Sequence, residues 1–376
     1  MPFNQRKNHT LLILFILTIL FNASGSFAQK LSMAEAKHAG DSIIPEAILP
    51  FWQSLTLKEK VAQTLMVYMP SASYIKKHQF GGVLIMKPHL KDALHLKEEL
   101  SLANESLKIP LLTAIDQEGG KVNRLQAISP EWKNLPSAKE MRTMTDDSVY
   151  NLAKQIGNEL HHYGINLNLA PVLDPPKDSK GKPSFIEVSN RSFGEFETAV
   201  PKIRSFVKGM KESKVLSTSK HFPGYDSWTN SDHQIAFSTS SKEIILRNVE
   251  LFKEFADEIP VVMLSSVRFV RLSNTPAVFN PKITAMAREI SPYTVLLTDD
   301  LWGVSLRAWI SGTDKVKGKN YPSKDFKKLI KPLGLIINNC SKFLKMLSGF
   351  TFVNNEIVPV FYKDDGDYKL GAPINI

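Results

Sequence analysis

From about residue 50 the chain alternates short apolar runs with longer stretches in which apolar residues recur at helical spacing. Seven runs are brief, apolar, and rich in β-branched residues or bounded by Gly or Pro: Leu65 to Met69, Gly81 to Met86, Leu111 to Asp116, Ile165 to Val172, Leu216 to Phe222, Val261 to Ser265 and Val295 to Thr298. They are predicted as strands. Between them, Leu90 to Ser106 carries Leu94, Leu96, Leu100 and Leu102, and Ser148 to His162 repeats Val149, Leu152, Ile156 and Leu160, both as helices do. The run Ser240-Ser241-Lys242-Glu243 has the pattern of a capping box opening another helix.

A strand-helix repeat builds a parallel sheet with helices outside it. Seven strands and a weaker eighth near Phe343 to Leu347 favour an α/β fold closed as a (β/α)8 TIM-type barrel over an open doubly wound sheet. The glycine-rich phosphate loop of dinucleotide folds is missing, since Gly81-Gly82 and Gly119-Gly120 are isolated pairs. The last unit reads as irregular. Ser311 to Ser323 is polar and lysine-rich, and Phe352, Val353, Val358, Val360 and Tyr362 alternate like a short hairpin.

Composition narrows the class. Of 376 residues, 43% are hydrophobic and 22% charged, with one Cys, which excludes a disordered chain and a disulfide scaffold. Residues 1 to 28 have the parts of an export signal: Arg6 and Lys7, an apolar run from Leu11 to Phe21, and Ser26-Phe27-Ala28 before Gln29. The run is short for a membrane span, so no stable membrane anchor is expected, and the protein is expected in the periplasm or outside the cell. Cleavage after Ala28 takes 376 residues to 348 and the formal charge from +10 to +8. Basic pairs such as Lys76-Lys77 and Lys327-Lys328 read as solvated helix faces, and no aromatic-interleaved basic run points to nucleic acid. Cys340, in an apolar stretch, reads as a buried thiol.

In a barrel of this kind, polar residues just after the strands converge on one mouth. Here they are Asp116, Gln117 and Glu118 after the third strand, Asp174 after the fourth, Lys220 and His221 ending the fifth, and Asp299 and Asp300 ending the seventh. Single carboxylates there would serve as helix caps; several at successive strand ends point to chemistry. There is no H-E-x-x-H, no Cys pair and no acidic calcium loop, and His161 and His162 point to different sides of one helix, so no metal and no cofactor are expected. No G-x-S-x-G follows a strand. What remains is carboxylate chemistry with a histidine available, as in glycoside hydrolysis.

Five runs then carry a resemblance: Ile115-Asp-Gln-Glu-Gly-Gly-Lys-Val-Asn-Arg124, Gly164-Ile-Asn-Leu-Asn-Leu-Ala-Pro-Val-Leu-Asp174, Asn190-Arg191-Ser-Phe-Gly194, Lys220-His-Phe-Pro-Gly224 and Thr298-Asp-Asp-Leu301. Together, and in this order, the chain resembles glycoside hydrolase family 3, in its β-N-acetylglucosaminidase branch. The resemblance implies that Asp299 is the nucleophile of a retaining double displacement. It implies that His233 is the general acid/base, held by an aspartate two residues earlier. It implies that Asp116, Arg124, Arg191, Lys220 and His221 bind the sugar, and that Asp300 is structural or orienting, with a helix N-cap as its plain alternative. Arg124 and Arg191 have a structural ion pair as theirs. Phe222-Pro223 is a candidate cis peptide.

The chain departs from that pattern after Leu301, where it is hard to follow, and in the loop after the fifth strand. Where the branch has D-S-H, this sequence reads Ser231-Asp232-His233, so Ser231 stands in the place of the aspartate, and Asp232 and Asp226 are the carboxylates left to orient His233. The expected protein is an exported enzyme. Residues 1–28 are its signal, 29–49 a linker, 50–350 a single barrel and 351–376 a tail. It would release terminal β-linked N-acetylglucosamine from peptidoglycan fragments or related glycans. A glycan binder with a decayed proton-transfer dyad, and another β-glycosidase or a phosphorylase of the same family, are the alternatives.

Overall fold

The computed structural model describes residues 49–291, 294–301 and 303–311, together with three backbone strands at 350–353, 356–362 and 368–370. The expected signal, the linker up to residue 48, Cys340, Lys327-Lys328 and the eighth strand candidate at 343–347 lie outside the described residues.

Seven parallel strands form one sheet in chain order: β1 (Met66–Tyr68), β2 (Gly82–Ile85), β3 (Leu112–Ile115), β4 (Leu167–Asn168), β5 (Leu216–Phe222), β7 (Val261–Leu264) and β9 (Val295–Thr298). A separate two-stranded ribbon, β6 (Phe237–Ser238) with β8 (Arg268–Phe269), fills the connections on either side of β7. Helices α1 (Leu49–Ser54), α2 (Leu57–Gln63), α3 (Ala72–His78), α4 (Ala93–Glu105), α5 (Ala138–Met141), α6 (Asp146–His162), α7 (Phe185–Val188), α8 (Phe196–Glu212), α9 (Lys242–Glu254), α10 (Pro281–Ile290) and α11 (Val304–Ser311) make up the rest. The C-terminal alternation folds as expected: β10 (Phe350–Val353) pairs antiparallel with β11 (Glu356–Tyr362), and β11 with β12 (Tyr368–Leu370).

Strands buried on both faces need apolar residues at every position, which is why they read as continuous runs. Successive residues serve two cores. Ala114, Val261 and Met263 pack inward with Leu167 and Leu169, joined by Met66, Leu84 and Leu297, whereas Val83, Ile85, Ile115, Val262 and Leu264 face the helices. Met66 of the first strand and Leu297 of the last share the inner cluster, so the sheet curls strongly. The Tyr68 hydroxyl at the end of β1 donates to Asp300 Oδ2 just after β9, at 3.3 Å. Long helices α6 and α8 lie against each other through small residues, and a Cβ on Gly209 would stand 2.6 Å from the Tyr150 carbonyl oxygen. Thr145 caps α6 by accepting from Ser148 N–H at 3.2 Å, with Asp146 and Asp147 in the first turn.

Several local expectations are corrected. The regular fourth strand is Leu167–Asn168; beyond it Leu169 N–H still donates to Ile115 O (2.7 Å) and Ala170 O accepts Thr218 N–H (2.9 Å), but Pro171 has no amide hydrogen and the ladder becomes irregular, with Val172 in an isolated bridge to Lys220. In α4, Leu96 and Leu100 are buried but Leu94 and Leu102 are more than half exposed, so the apolar stripe is narrower than four leucines suggested. Helix α9 is capped by Ser241, which accepts from Ile244 N–H at 3.4 Å, and Ser240 turns instead to Asp226. Asp300 is not the cap of α11, which begins at Val304; it takes the Tyr68 phenol. The Phe222–Pro223 peptide is cis, as are Ala170–Pro171 and Lys220–His221.

Candidate active site

The strand ends meet at a cleft of about 360 Å³. Asp116, Glu118 and Arg124 reach it from the end of β3, Lys220 and His221 from β5, and Asp299 and Asp300 from β9, with Arg191 and Asp232 on intervening loops. Gln117 shapes the β3 turn. Its amide donates to Asn168 Oδ1 at 3.0 Å, its carbonyl accepts from Asn168 Nδ2 at 2.9 Å, and its Oε1 accepts the N–H groups of Arg124 (2.7 Å) and Leu125 (3.0 Å). The buried side chain thus folds the chain back, so that Asp116 and Arg124 line one wall.

A charge network occupies the floor. Lys220, 2% exposed, donates to Asp116 Oδ1 at 2.7 Å and lies 2.6 Å from Glu118 Oε1. Arg191 forks onto Glu118 through Nε and Nη2, both at 2.8 Å. Burial alone would raise the Glu118 carboxyl, but the positive charges of Arg191 and Lys220 overcome it and hold it far below the usual carboxylate range. For Lys220, burial opposes the ammonium, while Asp116 and Glu118 outweigh it and raise its pKa. Arg191 is therefore first a partner of Glu118, its plain structural alternative, while still lining the cleft. Arg124 stands 3.9 Å from Asp116 Oδ2. Asp116 keeps about a quarter of its side chain exposed and is the carboxylate of this group open to a ligand.

Asp174 orients His221. Its Oδ2 lies 2.6 Å from His221 Nδ1, and its Oδ1 accepts the backbone N–H groups of His221 (2.8 Å) and Tyr225 (2.6 Å). That fixes one ring nitrogen and leaves Nε2 without a hydrogen bond among the described residues.

Opposite, Asp299 lies at the C-terminal end of β9. Its Oδ1 accepts Asp300 N–H at 2.8 Å and its Oδ2 accepts the Ser266 hydroxyl. The loop after β5 brings Asp232 into the cleft, fastened by Val304 N–H to its carbonyl (3.2 Å) and Ser305 N–H to that of Ser231 (2.9 Å). Although Asp232 is exposed at the edge of the cleft, desolvation by the surrounding loop and the nearby Asp299 charge raise its carboxyl, against Arg191, His221 and His233. His233 is exposed, does not line the cleft, and makes no side-chain hydrogen bond among the described residues. Asp226 does not orient it. That carboxylate is buried, and its Oδ2 accepts from Ser238 (3.0 Å) and Ser240. Tyr225 staples the same loop, donating to Thr229 O at 2.5 Å and accepting Ser231 N–H at 2.7 Å.

Sequence reasoning thus finds the strand-end groups but misses Glu118 as the centre of the network, along with Tyr68, Tyr225 and Ser266. Glu118 had a signal, standing two residues after Asp116, on the same face of an extended chain. The other three had none. No three His, Cys, Asp or Glu among the described residues are grouped to hold a metal ion, and no helix among them is long and apolar enough to cross a membrane.

Comparison with known proteins adds a family. The model of the glycosyl hydrolase family 3 N terminal domain matches residues 56–297. A β-hexosaminidase of Actinobacillus pleuropneumoniae serotype 3 is 29% identical over 208 residues, covering 52% of this chain and 58% of that protein. One of Pseudomonas aeruginosa (strain LESB58) is 28% identical over 238 residues, covering 60% and 68%. The chain therefore spans little more than half the length of some of the curated relatives it matches. Among solved structures, a family 3 β-N-acetylglucosaminidase from Paenibacillus sp. str. FPU-7 superposes with a TM-score of 0.59 at 28% identity, covering 68% of this chain and 51% of that one. A β-N-acetylhexosaminidase from Beutenbergia cavernae shares the fold, at 23% identity and a TM-score of 0.61, over 79% of this chain and 99% of that one.

Proposed function

The chain belongs to the glycosyl hydrolase family 3 N terminal domain family, and from that premise we propose that it is a retaining β-N-acetylglucosaminidase working through the cleft at the strand ends. The β-hexosaminidase and β-N-acetylglucosaminidase names of its relatives support the sugar. The observation that carries the mechanism is Asp299, a strand-end carboxylate held by Ser266 and by its neighbour's amide, facing the same cleft as Asp116 and Lys220. Asp116 accepts sugar hydroxyls while Lys220 and Arg124 hold it in place. An Asp299 oxygen attacks the anomeric carbon as the bond to the leaving oxygen breaks, and an acid on the 231–233 segment protonates that oxygen. The same group then takes a proton from water, whose oxygen attacks the anomeric carbon and releases Asp299 with configuration retained.

The acid is His233 in the reading the family resemblance supports. A second reading, with Asp232 itself as the acid, is favoured by its place in the cleft and its raised pKa beside Asp299. Export, as residues 1–28 suggest, would place the substrate among peptidoglycan fragments. In the test, Asp299→Ala abolishes release of a chromogenic phenol from a β-N-acetylglucosaminide; undiminished turnover overturns the nucleophile. His233→Ala and Asp232→Ala, assayed on good and poor leaving groups, assign the acid, since loss of the acid spares the activated substrate and cripples the poor one. Wild-type protein that binds glycan and turns over neither substrate is a binder, and one that requires phosphate for turnover is a phosphorylase.

A further inference from the structure

Across one wall of the cleft lies a second cavity of about 590 Å³, within the ordinary range of small-ligand sites. The wall is thin. Residues 227 and 228 line the new groove while Asn230, Ser231 and Asp232 line the cleft, and Phe185 of the cleft donates its N–H to Ser227 O at 2.9 Å.

Two independent features point to a ligand. Trp228 is 72% exposed, with no ring partner among the described residues, beside Phe237, whose ring is 42% exposed and lies under the Arg268 guanidinium. Large aromatic surface open to water is costly to leave bare and is suited to stacking on a flat, apolar ligand face. Second, Asp226 lines the same groove and is 2% exposed. Its Oδ2 is taken by Ser238 and Ser240, yet its Oδ1 receives no hydrogen bond from another residue. A buried acceptor of that kind is normally satisfied.

The remaining lining selects the chemistry. Lys180 and Lys182 are balanced by Asp178 and Asp226, and hydroxyls of Ser179, Ser227 and Thr239 complete the rim. A polyanion would meet two carboxylates, and a purely apolar ligand would leave the hydroxyls and Asp226 unmatched. A neutral sugar offers an apolar ring face for Trp228 and hydroxyl donors for Asp226.

We propose that this groove is a second saccharide-binding site, holding a distal part of a neutral β-linked glycan whose end lies in the cleft. The choice of N-acetylglucosamine oligomer rests on the functional reading above; the groove itself does not.

Trp228→Ala is the informative variant, because an exposed side chain can be removed without disturbing the core. Tetra-N-acetylchitotetraose, titrated calorimetrically into wild-type and variant protein, should bind the variant at least about fivefold more weakly, with Trp228→Phe recovering most of the loss. In kinetics, kcat/KM for the tetramer should fall by a similar factor while that for an aryl monosaccharide and the melting temperature stay unchanged. Equal tetramer affinity in the two proteins overturns the groove. So does an equal loss on the aryl monosaccharide, which would mean that Trp228 acts through the catalytic loop. Absence of any turnover, with the affinity difference intact, overturns the enzyme reading and leaves the groove standing.

Discussion

Replacing Glu118 by Gln isolates the charge network from the rest of the cleft. The substitution is nearly isosteric. The carboxylate now takes Arg191 through two bonds at 2.8 Å, and Lys220 lies 2.6 Å away. An amide keeps one oxygen, presents N–H2 to the other cation, and removes the charge that compensates two buried positive groups. Lys220 retains Asp116 at 2.7 Å, so one pairing survives. Removing one partner of a buried pair costs about 3–5 kcal/mol; with that residual pairing the expected loss is at the lower end, about 3 kcal/mol. The assay is equilibrium urea unfolding at pH 7, followed by far-UV circular dichroism, with the loss appearing in the midpoint at unchanged slope. Adding Arg191→Met to Glu118→Gln should restore part of the loss by removing a stranded cation. The pH dependence has a definite sign. Glu118 is depressed in the folded state, so its contribution is full above the ordinary glutamate pKa of 4.5 and declines as pH falls below it toward the lower folded value. Glu118→Gln should therefore flatten the acid limb of the stability curve. A loss below about 1 kcal/mol, or an unchanged acid limb, would refute the argument that this network is a buried, mutually dependent unit.

His78 offers a second pH test. It is 4% exposed, packed with Tyr74 and Phe80, and its pKa is lowered to about 4 by burial and by Lys77 and Lys58. The neutral ring is the folded form, so stability is constant above about pH 6.5 and falls as pH drops from there toward about 4; thermal melts of His78→Phe should lose that slope. Gly209→Ala replaces a poor helix former by the best one, a gain of about 1 kcal/mol by propensity. Its new methyl would nevertheless meet the Tyr150 carbonyl and Ala153 Cβ at 2.6 and 2.8 Å, so overpacking of about 1–3 kcal/mol should give net destabilisation in urea unfolding. A melting temperature above wild type would show that α6 and α8 part freely.

The strand order was legible because double-sided burial writes itself as continuous apolar runs, and β5 and β9 appear at the predicted residues. The fourth strand was legible only in part, since Leu169, Ala170 and Val172 are buried as core but keep only irregular backbone bonds to β3 and β5 beyond Asn168. Apolar character reports burial, whereas hydrogen-bond pairing depends on Pro171 and on neighbours distant in sequence. The same division holds at the site. Asp116, Lys220 and Asp299 stood out because strand ends fix where they point. Which of Asp116 and Glu118 Lys220 would bridge, and that Ser266 would reach Asp299, depends on contacts between separate loops that no local pattern encodes. The Ser231-Asp232-His233 turn is the sharpest case: spacing put His233 in register, and the fold puts Asp232 into the cleft.

The order of the sheet has a bearing on how the protein comes to exist. Each strand pairs with the one laid down just before it in the sheet, from β1 through β5 to β7 and β9. A chain synthesised from its N-terminus can therefore add one unit at a time onto a finished edge. The four members of the charge network, Asp116, Glu118, Arg191 and Lys220, are all synthesised by the end of β5, whereas Asp299 follows only with the last strand of the sheet. On the proposed reading, the residues that bind the sugar are thus in the chain before the attacking carboxylate is.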